Sequence, residues 1–295
     1  MKHRLPQTFS EVVDEVVRFT AISRCEAERR VWMESLELGW NVRHDVERFK
    51  VTPHQYDEHM ERLYREGDGF IFETLVFWAA PNRQMWTAGA AERLFRYSEK
   101  AALLPNRLRI LMLGDGAGSD SLYLANQGFC LDYFDVPGSL TSDFALKRFD
   151  YYGVLGENIT VVDNYEQCLS SGYDAVITFE VLEHLPQPLE AIRDISRMLK
   201  TKGIALVTEA FEVLIPELPT HLAANRKYAA RTPFLFLRNN LLLNWHNPPP
   251  IYRPAEYVKL EGSCLQDWLH LLKDKRLLME WSLARAREFK RRIVD

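Results

Sequence analysis

Three glycines at alternate positions, Gly114, Gly116 and Gly118, follow directly on the apolar run at residues 108–113. A run of that length reads as a buried parallel strand, and a glycine-rich turn after it reads as the strand-to-helix turn of an open sheet. The next helix starts at Ser119 or Asp120, and Gly128 is placed to end it in a left-handed conformation. Four more strand-length runs follow at 129–136, 158–162, 174–179 and 204–208. A helix over 188–200 precedes the last of them, with Gly203 as its cap. Strands that alternate with helices imply a parallel sheet with right-handed crossovers.

The flanks have a different grammar. Phe9, Val12, Val13, Val16 and Val17 recur at helical spacing behind Ser10, a residue suited to capping. Further helices are expected over 26–38, 52–65, 70–80 and 88–104, divided at Pro53 and Pro81. After Glu209 the pattern loosens into a loop with one helix near 222–230, then a strand or hairpin over 234–245. Pro248, Pro249 and Pro250 make a rigid break, and the chain from Cys264 onward reads as helical. The expected architecture is α/β: a Rossmann-like, doubly wound, mostly parallel sheet with an N-terminal helical subdomain and C-terminal helices. Its expected units are an N-terminal layer at 1–104, a cofactor-binding domain at 105–262 and an extension at 263–295.

Charge and cysteine usage narrow the function. Lys and Arg number 37 against 41 Asp and Glu, so electrostatics offer no case for nucleic acid. Basic side chains gather only in the tail, at Arg285, Arg287, Lys290, Arg291 and Arg292. Cys25, Cys130, Cys168 and Cys264 lack C-x-x-C spacing, which argues against a zinc site or disulfide framework and fits a reducing cytoplasm. The longest apolar stretch, 234–245, is interrupted by Arg238, Asn239, Asn240 and Asn244, so no membrane span is expected.

An acid about 20 residues beyond the first glycine is the partner that a ribose-bearing ligand requires, and Asp135 meets that test. The dinucleotide fingerprint needs Gly or Ala where Ser119 stands, so a nicotinamide-dependent oxidoreductase loses ground. The blocks LRILMLGDGAGS, FDV at Asp135, VVDN at Asp163, YDAVITFEVLEHL and RMLKTKGIALVTEA together resemble the class I S-adenosylmethionine-dependent methyltransferases. The resemblance covers residues 105–210. It implies that Gly114, Asp115, Gly116 and Gly118 wrap the methionine and ribose of S-adenosylmethionine, and that Asp135 takes the ribose hydroxyls while Val136 packs on adenine. It further implies that Asp163 and Asn164 meet the adenine edge, and that Phe179 and Glu180 line the methyl-donor side. The family's usual acid two residues before the first glycine is here Met112, with Asp115 or Asp120 as candidate substitutes.

The expected activity is methyl transfer to O or N of a small organic acceptor, in specialised or secondary metabolism, with S-adenosylhomocysteine as product. A non-catalytic partner protein on the same fold is the alternative. Methyl transfer needs no metal, and none is expected; Glu217 and His221, four residues apart, would be only two ligands. His184 and His221 are candidate general bases, each with a structural reading beside it. Glu209, Asn225 and Tyr228 are candidate acceptor contacts, Asn225 one helical turn from His221. Oligomeric state stays open, a homodimer among the options. Trp32, Trp40, Trp78, Trp86 and Trp245, with Trp268 and Trp281, fall mostly outside the cofactor-binding domain at 105–262, so a helical lid over an apolar pocket is expected.

Overall fold

The computed structural model describes residues 5–170, 172–246 and 253–261. The triple-proline break and the 263–295 extension, with Cys264, Trp268 and Trp281, lie outside the described residues. Six helices come first: α1 (Phe9–Phe19), α2 (Arg24–Leu36), α3 (Trp40–Phe49), α4 (Glu58–Glu66), α5 (Gly69–Ala79) and α6 (Pro81–Ala101). Thr8, not Ser10, caps α1. Its hydroxyl accepts from Glu11 N while the Glu11 carboxylate receives the Thr8 N–H, a reciprocal capping box. Helix α4 begins later than its proline suggested, because Asp57 accepts from His59 N and Met60 N. Helix α3 was not anticipated. Its apolar positions are few, and Gly39 starts it at φ +82° with no side-chain cap.

The sheet contains β1 (Ile110–Leu113), β2 (Leu131–Phe134), β3 (Ile159–Val161), β4 (Tyr173–Phe179), β5 (Leu199–Thr208), β6 (Leu241–His246) and β7 (Ala255–Lys259). Their order is β3-β2-β1-β4-β5-β7-β6. Strands β1 to β5 are mutually parallel; β7 runs antiparallel to β5 and to β6. The intervening helices are α7 (Ser119–Asn126), α8 (Leu140–Tyr151), α9 (Tyr165–Ser170), α10 (Pro188–Met198) and α11 (Thr232–Leu237). The helix expected near 222–230 is a 3-10 segment, Ala223–Tyr228. Gly203 does not cap α10, which ends at Met198 with Leu199 as its C-cap; it lies inside β5, where a Cβ would come within 2.9 Å of Lys200 O.

Two apolar layers cover the sheet. On one face Ile192, Ile195 and Met198 of α10 are buried with Val176, Ala205 and Val207, each large side chain contributing about 2 kcal/mol. On the other, Trp78, Ala90, Ala91 and Leu94 of α5 and α6 share a core with Ile110, Met112, Leu131 and Ile177. The last two N-terminal helices therefore supply one wall of the sheet's own core. Arginines of α6 fasten it further: Arg93 makes a bidentate ion pair with buried Glu256 of β7, at 2.6 and 2.9 Å.

Candidate active site

The glycine turn crosses from β1 to α7 at the carboxyl ends of the strands, the edge where open parallel sheets bind ligands. Gly114 and Gly118 have φ of +78° and +77°, conformations that L side chains rarely adopt. A Cβ would also strike protein, Val181 Cγ2 at 2.6 Å from Gly114 and the Phe149 ring at 2.5 Å from Gly118. At these two positions backbone conformation and packing against protein side chains already demand glycine. Buried Arg148 donates from Nη1 to Ala117 O at 2.5 Å and to Ser119 Oγ at 2.9 Å, while its Nε lies 3.5 Å from Glu15 of α1. The first helix thus steadies the turn from behind, a link with no local signal in the sequence.

Asp135, just past β2, is partly exposed. Its Oδ2 accepts from Gly116 N and its Oδ1 from Val136 N, both at 2.7 Å. Burial raises its pKa and the two N–H donors oppose that rise. Val136 is 38% exposed. Asp163 and Asn164 follow β3, also exposed, and Asn164 Oδ1 accepts from Glu166 N at the start of α9.

The acids proposed to stand in for Met112 are committed elsewhere. Asp115 accepts from Asp120 N at 3.1 Å and Ser121 N at 2.7 Å, capping α7, and burial beside Asp120 raises its pKa strongly. Asp120 is buried against Arg83 (2.5 Å), Trp78 Nε1 (3.2 Å) and the Thr87 hydroxyl. Met112 itself is in the core. Phe179, too, is 6% exposed and packs inward, with the Arg83 guanidinium 5.3 Å from its ring centroid.

Beyond β4 the chain turns at Glu180, which has φ +54°, into a 3-10 turn, Leu182–His184. Glu180 pairs with Arg253 at 2.8 Å, and Arg253 also lies 3.5 Å from Glu212. Glu209 accepts from Phe211 N at 3.0 Å and the Thr232 hydroxyl at 2.8 Å, and the Tyr228 ring meets Phe211 edge-on. His184 and His221, 37 residues apart in the chain, lie with ring centroids 4.8 Å apart. Nδ1 of His184 faces Thr220 O at 3.1 Å and Nδ1 of His221 faces Val213 O at 2.8 Å. Burial, helped by its neighbour His221, pushes His184 down to about 3, and burial also lowers His221.

Two expectations change here. His221 precedes the 3-10 segment that holds Asn225, so they do not share a helical face. Asn225 is 2% exposed and donates from Nδ2 to Glu183 O at 3.0 Å and Leu185 O at 2.8 Å; it braces the turn after β4. Glu217 is exposed whereas His221 is buried. Sequence reasoning also missed Glu183 and His54. The N-terminal layer reaches the loop after β5 through His54, which donates from N to Pro219 O at 2.7 Å, accepts from Ala223 N at 3.0 Å and places Nδ1 2.9 Å from His221 O.

Five parallel strands in this order, an antiparallel pair beyond them and a glycine turn after the first define a class I methyltransferase fold. Residues 85–288, more than half of the chain, match the family model described as methyltransferase domain, and the chain belongs to that family. No curated protein matches. Among solved structures, the CurJ carbon methyltransferase is 12% identical with a TM-score of 0.53, over 85% of this chain and 71% of CurJ. That likeness concerns the fold. A protein from Galdieria sulphuraria assigned as a sarcosine dimethylglycine methyltransferase is 17% identical, TM-score 0.42, over 54% of this chain. The present chain spans 63% of that protein, under two thirds of its length. Magnesium protoporphyrin IX methyltransferase from Synechocystis PCC 6803, with bound SAM, is 16% identical, TM-score 0.47, over 78% of this chain and 97% of its own. Among the described residues no helix is long and apolar enough to cross a membrane.

Proposed function

We propose that the protein is an S-adenosylmethionine-dependent methyltransferase that acts on an oxygen or nitrogen of a small organic acceptor. Asp135 carries this reading: a partly exposed carboxylate at the end of β2, held by two backbone N–H groups beside the glycine turn. Each of its oxygens has a further lone pair for a ribose hydroxyl. The cofactor, when bound, supplies an electrophilic methyl group on a sulfonium sulfur. Gly114 and Gly116 would offer backbone to its methionine and ribose, and Val136 and Asp163, exposed at the next strand ends, would border the adenine. Glu180, Glu209 and Tyr228 would border the acceptor, with the loop that His54 fastens excluding water. Alignment and water exclusion supply much of the rate in such a displacement.

Calorimetric titration with S-adenosylmethionine and S-adenosylhomocysteine tests the reading; the expected result is one site per chain. The second reading, a non-catalytic partner protein, is favoured by one observation: Met112 is buried while Asp115 and Asp120 are both committed. No binding at cofactor concentrations of about 1 mM, weaker than about 4 kcal/mol, would decide for it.

A further inference from the structure

We propose that Glu183, His184 and His221 bind a divalent metal cation at the carboxyl edge of β4. One ligand atom from each of the three side chains lies within 4.8 Å of the other two. Glu183 is 1% exposed, and neither of its carboxylate oxygens has a hydrogen-bond partner. Buried polar groups are almost always paired, and an orphaned carboxylate is among the costliest exceptions. Protonation alone does not resolve it, since the acid would still hold an unpartnered O–H and an unpartnered carbonyl oxygen. A cation satisfies the carboxylate directly.

The histidines are prepared in the same sense. Nδ1 of each ring faces a backbone carbonyl and donates to it, which leaves Nε2 as the nitrogen that can offer a lone pair to a metal. Carbonyl groups that orient metal-binding histidines act in this way. The Glu183 backbone is pinned as well, its carbonyl accepting from Asn225 Nδ2 at 3.0 Å and Leu222 N at 3.1 Å. Glu180, Glu209 and Glu212 stand around Arg253, so the neighbourhood carries more carboxylates than cationic groups among the described residues.

Two imidazoles and one carboxylate suit Mn²⁺, Fe²⁺, Co²⁺ or Zn²⁺ better than Ca²⁺, which takes oxygen donors. Three protein ligands leave coordination positions open. An acceptor oxygen or nitrogen can fill one of them, which leaves His221 a ligand and not a general base. That placement rests on the methyl-transfer reading; the metal site does not.

The test is calorimetric titration of the full chain, dialysed against chelator and without S-adenosylmethionine, using MnCl₂ and ZnCl₂. Manganese EPR serves as a second readout. One site per chain is expected, weakened at least about tenfold in Glu183→Gln and in His221→Ala. Thermal unfolding of the wild type should shift upward with saturating metal, a readout that does not depend on the variants folding. No binding to wild type, or equal binding in both folded variants, overturns the proposal. Metal binding without S-adenosylhomocysteine binding would keep the site and remove the methyl-transfer reading.

Discussion

Asp120 and Glu183 are both buried acids near the carboxyl edge of one sheet, and their surroundings are opposite. Asp120 receives Arg83 twice, Trp78 and Thr87, all from α5 and α6. Glu183 receives nothing from the described residues. A buried carboxylate is tolerated when partners come with it, and at Asp120 the N-terminal helices bring them. At Glu183 the protein supplies neighbours with lone pairs, the wrong complement for an anion and the right one for a cation. The first acid fastens a helical layer to the sheet; the second is kept for something that the chain does not contain.

The largest effect that tests this contrast is at Asp120. Asp120→Ala strands the Arg83 guanidinium in the core and should lower unfolding free energy by about 3–5 kcal/mol in urea titrations. Arg83→Ala should cost a similar amount, and the double variant well under the sum. A loss below about 1 kcal/mol would mean that the pair is not what fastens α6.

Asp135 stands between the two acids, half-satisfied by the chain and open to solvent. Asp135→Ala should leave the fold intact and weaken S-adenosylhomocysteine binding by at least about 1.5 kcal/mol, roughly tenfold. Unchanged affinity in calorimetry would remove Asp135 from the site. Glu183→Met should move stability the other way. In chelated protein, replacing an unpartnered buried carboxylate by an apolar side chain of similar length should raise unfolding free energy by about 1 kcal/mol. A loss of stability in the same assay would show that Glu183 has a structural partner after all, and the contrast with Asp120 would collapse.

What was legible in the sequence follows the same division. The five parallel strands and the glycine turn announce themselves because strand runs, glycines and Asp135 are local in the chain, and their spacing reflects one βαβ repeat. The end of the sheet does not: β7 is a five-residue strand, AEYVK, with two charged side chains, and Glu256 is buried with partners from elsewhere, Arg93 of α6 and Asn244 of β6. The site divides likewise. Asp135 was found by its distance from Gly114, whereas Glu183 and His54 matter through partners that arrive from beyond β5 or from the N-terminal layer. His184 and His221 read from the sequence as two separate histidines, not as a pair. Nothing in the spacing of 184 and 221 says that the loop after β5 folds back onto the turn after β4. The place of Asn225 is hidden for the same reason, since the two carbonyls it reaches are about 40 residues away in the chain.

Glu73 on α5 is an acid of a third kind, half-buried, and the smallest effect is expected there. Burial, with Glu34 adding to it and Arg43 opposing, pushes its carboxyl up from an ordinary 4.5 to about 8. The folded pKa is therefore the higher one. Below about pH 4.5 both states hold the proton and Glu73 costs nothing. Between pH 4.5 and 8 the unfolded chain has released a proton that the folded chain keeps, so stability falls as pH rises, and above 8 the penalty is constant. Because the side chain is partly exposed, the loss should be on the order of 1 kcal/mol, well below what the full shift would give. Glu73→Gln removes it. Urea unfolding of the two proteins should coincide at pH 4 and below, and at pH 9 the variant should be the more stable. Coincidence at both pH values would mean that water already reaches the Glu73 carboxyl and that its place on α5 carries no penalty.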